Sequence, residues 1–364
     1  MKPICELLAI SDVEHLQQIY TGFSLLHKQG FLNLKQTIPR EFLQNKNASN
    51  RWTDYKFFNT KVVVNGKTNV CFDTHDWNWI DEEILREVDF YFKRSYDAQY
   101  ISKLEEKDKV FPLGLNYQVS NPEKDSFKLA RSAFYGGKSK IKAAIKGLRI
   151  DRFLGDKGET EQLKNLESYP DFTIEPKILF MARTWNPNFI EDKKQREVVE
   201  KLNETRAASV RILRKEFGER FFGGLAPDDY AAKHFKDCLL PDGSLSNKRS
   251  YLKILKDFPI SVATAGLNNS NGWKLGEYVA FSRAIITEPL HFQVTGDFAK
   301  DANYLEFTTP VELINAATRL FENKNLRFEM MMNNYRYYNS FVRPDSLVLN
   351  SLAVVFSHSN CFEI

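Results

Sequence analysis

Residues 266–277, GLNNSNGWKLGE, set Gly266, Asn268, Asn269, Ser270, Asn271 and Gly272 directly ahead of a short helical pattern. Gly and Asn accept the left-handed backbone that a tight loop needs. Asn271 or Gly272 is placed to cap a helix beginning at Trp273, whose first N–H groups have no partner inside the helix. Those groups and the helix dipole favour an anion such as a pyrophosphate. Lys274 adds a point charge in the first turn. Gly276 leaves the helix bare on one side, so that a ligand can approach Glu277, whose carboxylate can accept two hydrogen bonds from a ribose diol. Leu275, Tyr278, Val279 and Phe281 also make this helix amphipathic, as an ordinary strand–helix–strand unit would.

A second cluster is Asp73-Thr74-His75-Asp76. It follows an apolar run and so belongs at the carboxyl end of a strand, where open α/β sheets bind ligands. His75, or Asp73 or Asp76 directly, has the chemistry of a general base. Asp76 or Asn78 could instead cap the helix that follows. The cluster is too tight to read as a metal site. GGKS at 136–139 does not make a phosphate-binding P-loop, because no strand precedes it and Ser132 stands where the first glycine belongs.

These residues need strands and helices to hold them. Residues 61–72 are two β-branched runs around Asn65-Gly66, a hairpin signal. Helical character at 81–87 and strand character at 88–95 and 109–117 continue an alternation that predicts a parallel α/β sheet. PKILFMA at 176–182 restarts the rhythm. A long helical pattern spans 192–217, another covers 245–257, and strands are predicted at 260–265, 284–287 and 304–307. Thr309-Pro310-Val311-Glu312 opens a helix with a capping box. The domain reading is an N-terminal Rossmann-like domain over 1–118, a basic connecting segment over 119–174, a C-terminal domain over 175–325, and a helix and tail over 326–364 that return to the first domain.

At 364 residues the chain is long enough for two cores, and its 43% hydrophobic and 27% charged content is that of a globular protein. A net charge of +4 does not mark a nucleic-acid binder. Cys5, Cys71, Cys238 and Cys361 follow no zinc or disulfide spacing, and with no leader pattern in MKPICELLAI they predict a cytoplasmic protein. Residues 128–152 hold eight Lys or Arg against Asp151, interleaved with apolar residues. That pattern suits a solvated helix face, or peripheral contact with an anionic membrane.

GWKLGEYVAFSRAIITEP (272–289) resembles the nucleotide-binding helix of GT-B glycosyltransferases of the bacterial group 1 type. KILFMARTWNPN (177–188), NYLEFTTPVELINAATRLFEN (303–323) and YYNSFVRPDSLVLN (337–350) resemble other segments of that family in the same order. The resemblance implies two Rossmann-like domains facing a cleft. It also implies transfer of a sugar from a nucleotide-sugar donor to a glycan or lipid-linked acceptor, in bacterial polysaccharide or cell-surface glycan synthesis. By it, Glu277 matches the ribose-binding carboxylate and Arg183 the base of the pyrophosphate site, with Asn271, Gly272, Trp273, Lys274 and Leu275 completing the donor stretch. Asp73, His75 and Asp76 would serve the acceptor hydroxyl. No DxD pair occurs, so no metal is expected, and no cofactor beyond the donor substrate. Asn269 stands where the family often has a second glutamate, and residues 184–192 lack its frequent lysine. Arg206, Arg211 and Lys253 are candidates for the missing charge. A sugar-nucleotide epimerase or hydrolase, or a non-catalytic binding protein, would use the same fold.

Overall fold

The computed structural model describes residues 2–8, 13–37, 58–119 and 163–358, so the basic stretch 128–152 lies outside the described residues. Contacts divide the chain into two units. The first takes in residues up to 165, 292–295 and 339 onward, and the second 166–291 and 296–338. The strands are β1 (Ile4–Leu8), β2 (Asn33–Thr37), β3 (Asn59–Val64), β4 (Thr68–Asp73), β5 (Phe90–Lys93), β6 (Val110–Pro112), β7 (Ile178–Ala182), β8 (Phe221–Leu225), β9 (Ile260–Ala263), β10 (Ala284–Thr287) and β11 (Tyr304–Glu306). The longer helices are α1 (Gln17–Lys28), α2 (Glu82–Glu87), α3 (Lys193–Phe217), α4 (Asp229–His234), α5 (Lys248–Lys256), α6 (Trp273–Ala280), α7 (Pro310–Glu322), α8 (Lys324–Tyr337) and α9 (Pro344–His358).

In the first unit the sheet order is β2-β1-β3-β4-β5-β6. The sheet is mixed rather than parallel, because β3 runs antiparallel to both β1 and β4. The cause is the Asn65-Gly66 turn. Both residues have positive φ, 52° and 68°, the geometry that joins neighbouring antiparallel strands. Ile19, Phe23 and Leu26 of α1 share a buried cluster with Leu347, Val348, Leu352 and Val355 of α9. Gly22 makes that packing possible, since a Cβ there would lie 2.2 Å from the Pro344 carbonyl oxygen. The segment 292–295 joins this unit through Gln293, whose N–H donates to the Tyr96 carbonyl at 3.0 Å. Asp81, not Asp76 or Asn78, caps α2, accepting from the N–H groups of Glu83 and Ile84.

The second unit has a five-stranded sheet in the order β11-β10-β9-β7-β8, parallel throughout. Its strands are mostly apolar because both faces are covered. All four residues of β9 and of β10 are buried. Burying one such Val, Leu or Ile side chain contributes roughly 1.5–3 kcal/mol. The α3 helix starts on the Asp192 cap and stops at Gly218, where φ is +51°. Its buried stripe is Val199, Leu202, Asn203, Arg206, Ala207, Val210 and Leu213. Thr309 and Glu312 form the expected capping box on α7. The α8 helix packs on α6, α7 and β10 in this unit, so the return to the first unit falls at 338/339 rather than at 326.

Candidate functional site

In the second sheet the chain leaves β7 for β8 on one side, then returns to place β9 on the other. The loops beyond the carboxyl ends of β7 and β9 therefore diverge, and a crevice opens where α/β folds bind ligands. Arg206, on the apolar face of α3, ties those loops together. Its three nitrogens donate to the Arg183 carbonyl at 2.6 Å, the Thr264 hydroxyl at 3.0 Å and the Ala265 carbonyl at 2.8 Å. Burial lowers the Arg206 pKa to about 10, with Glu288 opposing the shift and Arg183 adding to it. Glu288, just past β10, accepts from the Ala265 N–H at 2.8 Å. One helix residue and one carboxylate thus set the loop positions at this edge.

The loop between β9 and α6 has the predicted left-handed positions, at Asn268 (φ 57°) and Asn269 (φ 58°). The Gly266 N–H donates to the Ser270 carbonyl at 2.8 Å, and Gln195 Nε2 of α3 donates to the Asn268 side chain at 3.0 Å. Gly272 is the N-cap residue of α6, which has no side-chain cap. No side chain of the loop thus occupies the cap position of this helix. A recess lined by Thr264, Asn269, Ser270, Asn271, Gly272 and Glu288 lies at this edge of the sheet. Leu275 also lines it, but its side chain is core and its N–H bonds to the Gly272 carbonyl.

Glu277 is 3% exposed and forms an ion pair with Lys248, the first residue of α5. The Lys274 ammonium lies 3.6 Å from the centre of the Tyr251 ring, a cation–π contact. Burial is the main cause that brings the Lys274 pKa down to about 8. Glu277 opposes it, while Lys248, Arg183 and Arg206 push the same way. Burial also raises the Tyr251 hydroxyl well above its usual value, and the neighbouring Tyr278 and Glu277 add to that. Of the sequence candidates for the missing charge, Arg206 holds backbone, and Arg211 pairs with Asp237 at an exposed position. The structure adds Lys248. No spacing rule could have found it, because it reaches Glu277 from a separate helix.

The three acceptor-side residues occupy different environments. Asp73 is fully buried. One oxygen accepts from the Tyr91 hydroxyl at 2.6 Å and Lys93 Nζ at 2.9 Å, and the other from the His75 N–H at 2.9 Å. Asp73 is thus held in a buried network with Tyr91, Lys93 and His75. For Asp76, burial would raise the pKa, but the Arg94 guanidinium overrides it, with help from His15, and holds the carboxyl low. His75 is 8% exposed, with its Nδ1 accepting from the Trp77 N–H at 3.1 Å. Burial lowers its pKa to about 4, more than Asp73 can offset, so the imidazole is neutral at pH 7. Among the described residues, no three His, Cys, Asp or Glu side chains are grouped to hold a metal ion, and no helix is long and apolar enough to cross a membrane.

No family model matches the chain. No curated protein matches it either. Solved structures that do match include TarM, at 13% identity over 77% of this chain and 48% of that one, with a TM-score of 0.41. The chain thus spans about half the length of TarM. The C-terminal domain of a glycosyl transferase group 1 family protein from Francisella tularensis matches 49% of this chain and 96% of its own, at 14% identity and a TM-score of 0.31. A UDP-GlcNAc 2-epimerase from Neisseria meningitidis matches 76% of this chain and 66% of its own, at 14% identity and a TM-score of 0.36.

Proposed function

We propose that this chain is a glycosyltransferase that binds a nucleotide-sugar donor on its second unit and passes the sugar to an acceptor hydroxyl. One observation carries the reading. Arg206 reaches the Arg183 and Ala265 carbonyls beyond β7 and β9, Lys274 lies in the first turn of α6, and Lys248 meets Glu277 of the same helix. Such an excess of positive charge, beside a helix start without a side-chain cap, suits a diphosphate. Glu277 sits next to it, where ribose hydroxyls can donate to the carboxylate.

In the transfer, the acceptor oxygen bonds to the anomeric carbon and gives up its proton to the Asp76 carboxylate, while the bond from that carbon to the diphosphate breaks and the diphosphate leaves with the electron pair. Negative charge builds on the leaving phosphate, and cations already in place stabilise it without reorganising. On the acceptor side we assign His75 and Asp76, the members of that cluster with some exposure, while Asp73 positions them. With its Nδ1 accepting from the Trp77 N–H, the neutral His75 carries its proton on Nε2 and donates from there to the acceptor oxygen, orienting it beside the Asp76 carboxylate.

The test is calorimetric titration with UDP, GDP, ADP and CMP, followed by product analysis with the sugar conjugate of whichever binds. Binding of a nucleoside diphosphate and transfer of the sugar to an added acceptor are expected. Absence of heat with all four removes the proposal's basis. Release of free sugar, or of an epimer, from donor alone would replace transfer by hydrolysis or epimerisation.

A further inference from the structure

The loop after β4 carries two large apolar side chains at the surface. Trp77 is 38% exposed and Trp79 is 39% exposed. Their rings lie 6.1 and 6.0 Å from the ring of His75, with Trp77 nearly parallel to it at 20°. The base beneath them is rigid. The His75 N–H donates to Asp73, the Ser95 hydroxyl donates to the His75 carbonyl at 3.1 Å, and Phe58 meets the imidazole edge-on at 4.8 Å. The loop is also pinned further along. Asn78 Nδ2 donates to Asp97 at 2.9 Å, and the Ile80 N–H donates to the Tyr100 hydroxyl at 3.3 Å. A polar group adjoins the rings, since Asp76 pairs with Arg94 and its side chain keeps 35% of its exposure.

Two exposed indoles on a fixed base match an amphipathic ligand. A pyranose ring has one face of C–H bonds and an edge of hydroxyls. The C–H hydrogens carry slight positive charge and are drawn to the negative face of an aromatic ring. The hydroxyls need polar partners, and the part-exposed Asp76 carboxylate can accept from them. Because the loop that carries the rings is held before the ligand arrives, little backbone ordering cost opposes binding. A lipid surface fits less well. Residues 76–83, DWNWIDEE, carry Asp76, Asp81, Glu82 and Glu83 and no cation, which repels anionic headgroups.

We propose that Trp77 and Trp79 form a stacking platform for a pyranose unit of a glycan, with the part-exposed Asp76 carboxylate, held by the buried Arg94, meeting its hydroxyls. Only the description of that glycan as the acceptor rests on the glycosyltransferase reading. The binding itself does not.

The experiment follows tryptophan fluorescence and its protection from acrylamide quenching in the full chain. Methyl glucoside, methyl galactoside and chitobiose are the probes. Saturable protection by at least one probe is expected, about tenfold weaker in Trp77→Ala or Trp79→Ala and largely restored in Trp77→Phe. Melting temperature and nucleotide response, read on the same variants, should match the parent and thereby exclude misfolding. If no probe protects, or if both alanine variants bind like the parent, the platform is wrong. A blue shift with phosphatidylglycerol vesicles but not with sugars would overturn it in favour of a membrane contact. Protection by sugar without any nucleotide response would keep the platform and remove only the transfer reading.

Discussion

The Lys248 ammonium and the Glu277 carboxylate, contributed by α5 and α6, form an ion pair whose side chains keep 12% and 4% of their exposure. Glu277 thus has a structural partner as well as a proposed ligand. Removing one member of a buried pair leaves the other uncompensated, at a cost of about 3–5 kcal/mol, whereas replacing both with apolar groups is often neutral. Glu277→Ala should therefore lower stability to urea, and Lys248→Met with Glu277→Leu should recover it. The recovered double variant should still fail to bind nucleotide by calorimetry. If it binds as the parent does, Glu277 is structural only.

Arg206→Lys tests the clasp. A lysine keeps the charge but cannot present the same planar fork to Arg183, Thr264 and Ala265. Two or more hydrogen bonds to a charged group would be lost, at about 1.5–3 kcal/mol each. Nucleotide affinity should fall with stability, because the diverging loops lose their shared anchor. Unchanged affinity alongside reduced stability would separate the clasp from the ligand.

Lys274 predicts a pH signature. With its pKa lowered from 10.5 to about 8, folded and unfolded chains both hold the proton below about 8. Between about 8 and 10.5 the unfolded chain holds more, so this group's contribution to stability rises with pH in that window. Nucleotide affinity should move the other way, falling on the order of tenfold between pH 7 and pH 9 as the ammonium is lost. At pH 8, binding should take up a proton, because a bound diphosphate favours the charged lysine. Calorimetry in buffers of different ionisation enthalpy measures this uptake. Lys274→Met should abolish it.

The first unit gives a contrast between neighbours. Asp73→Asn leaves Lys93, which is fully buried, without its counter-charge and should destabilise by about 3–5 kcal/mol. Asp76→Asn, at a part-exposed position, should affect turnover more than stability. Equal losses of stability would place both residues in the framework.

Acid should weaken this unit as well. His75 has a folded pKa near 4 against 6.5 unfolded, and burial lowers His15 too. The unfolded chain binds more protons between pH 6.5 and 4, so stability falls as pH drops through that range. His75→Gln should flatten the slope, which melting curves across the range will show.

Much of the second unit was legible in the sequence, because parallel strands and their helices carry strong local signals. KILFMA, ISVA and AIIT are short, mostly apolar runs, Thr309 to Glu312 spell out a cap, and the Gly/Asn loop sits where the left-handed turns occur. Arg206 left a trace as well. It falls on the apolar stripe of α3, where a charged residue must have a partner. The Lys248 pairing left none, since it depends on how two helices meet. The Asp73–Lys93 pairing left none for a related reason. It depends on cross-strand register, which places the two residues opposite each other, and the string DTHD contains nothing of that register. The antiparallel β3 was visible in Asn65-Gly66, but the regular alternation after it pointed to an all-parallel sheet.

The shared core of α1 and α9 has a consequence for biosynthesis. The partners of Ile19, Phe23 and Leu26 are synthesised after the entire second unit, so the earlier-made unit closes its core later. During translation the second unit can mature while the first still exposes apolar surface. Released chains truncated after residue 338 should be cut by protease within residues 58–119 and spared within 166–338.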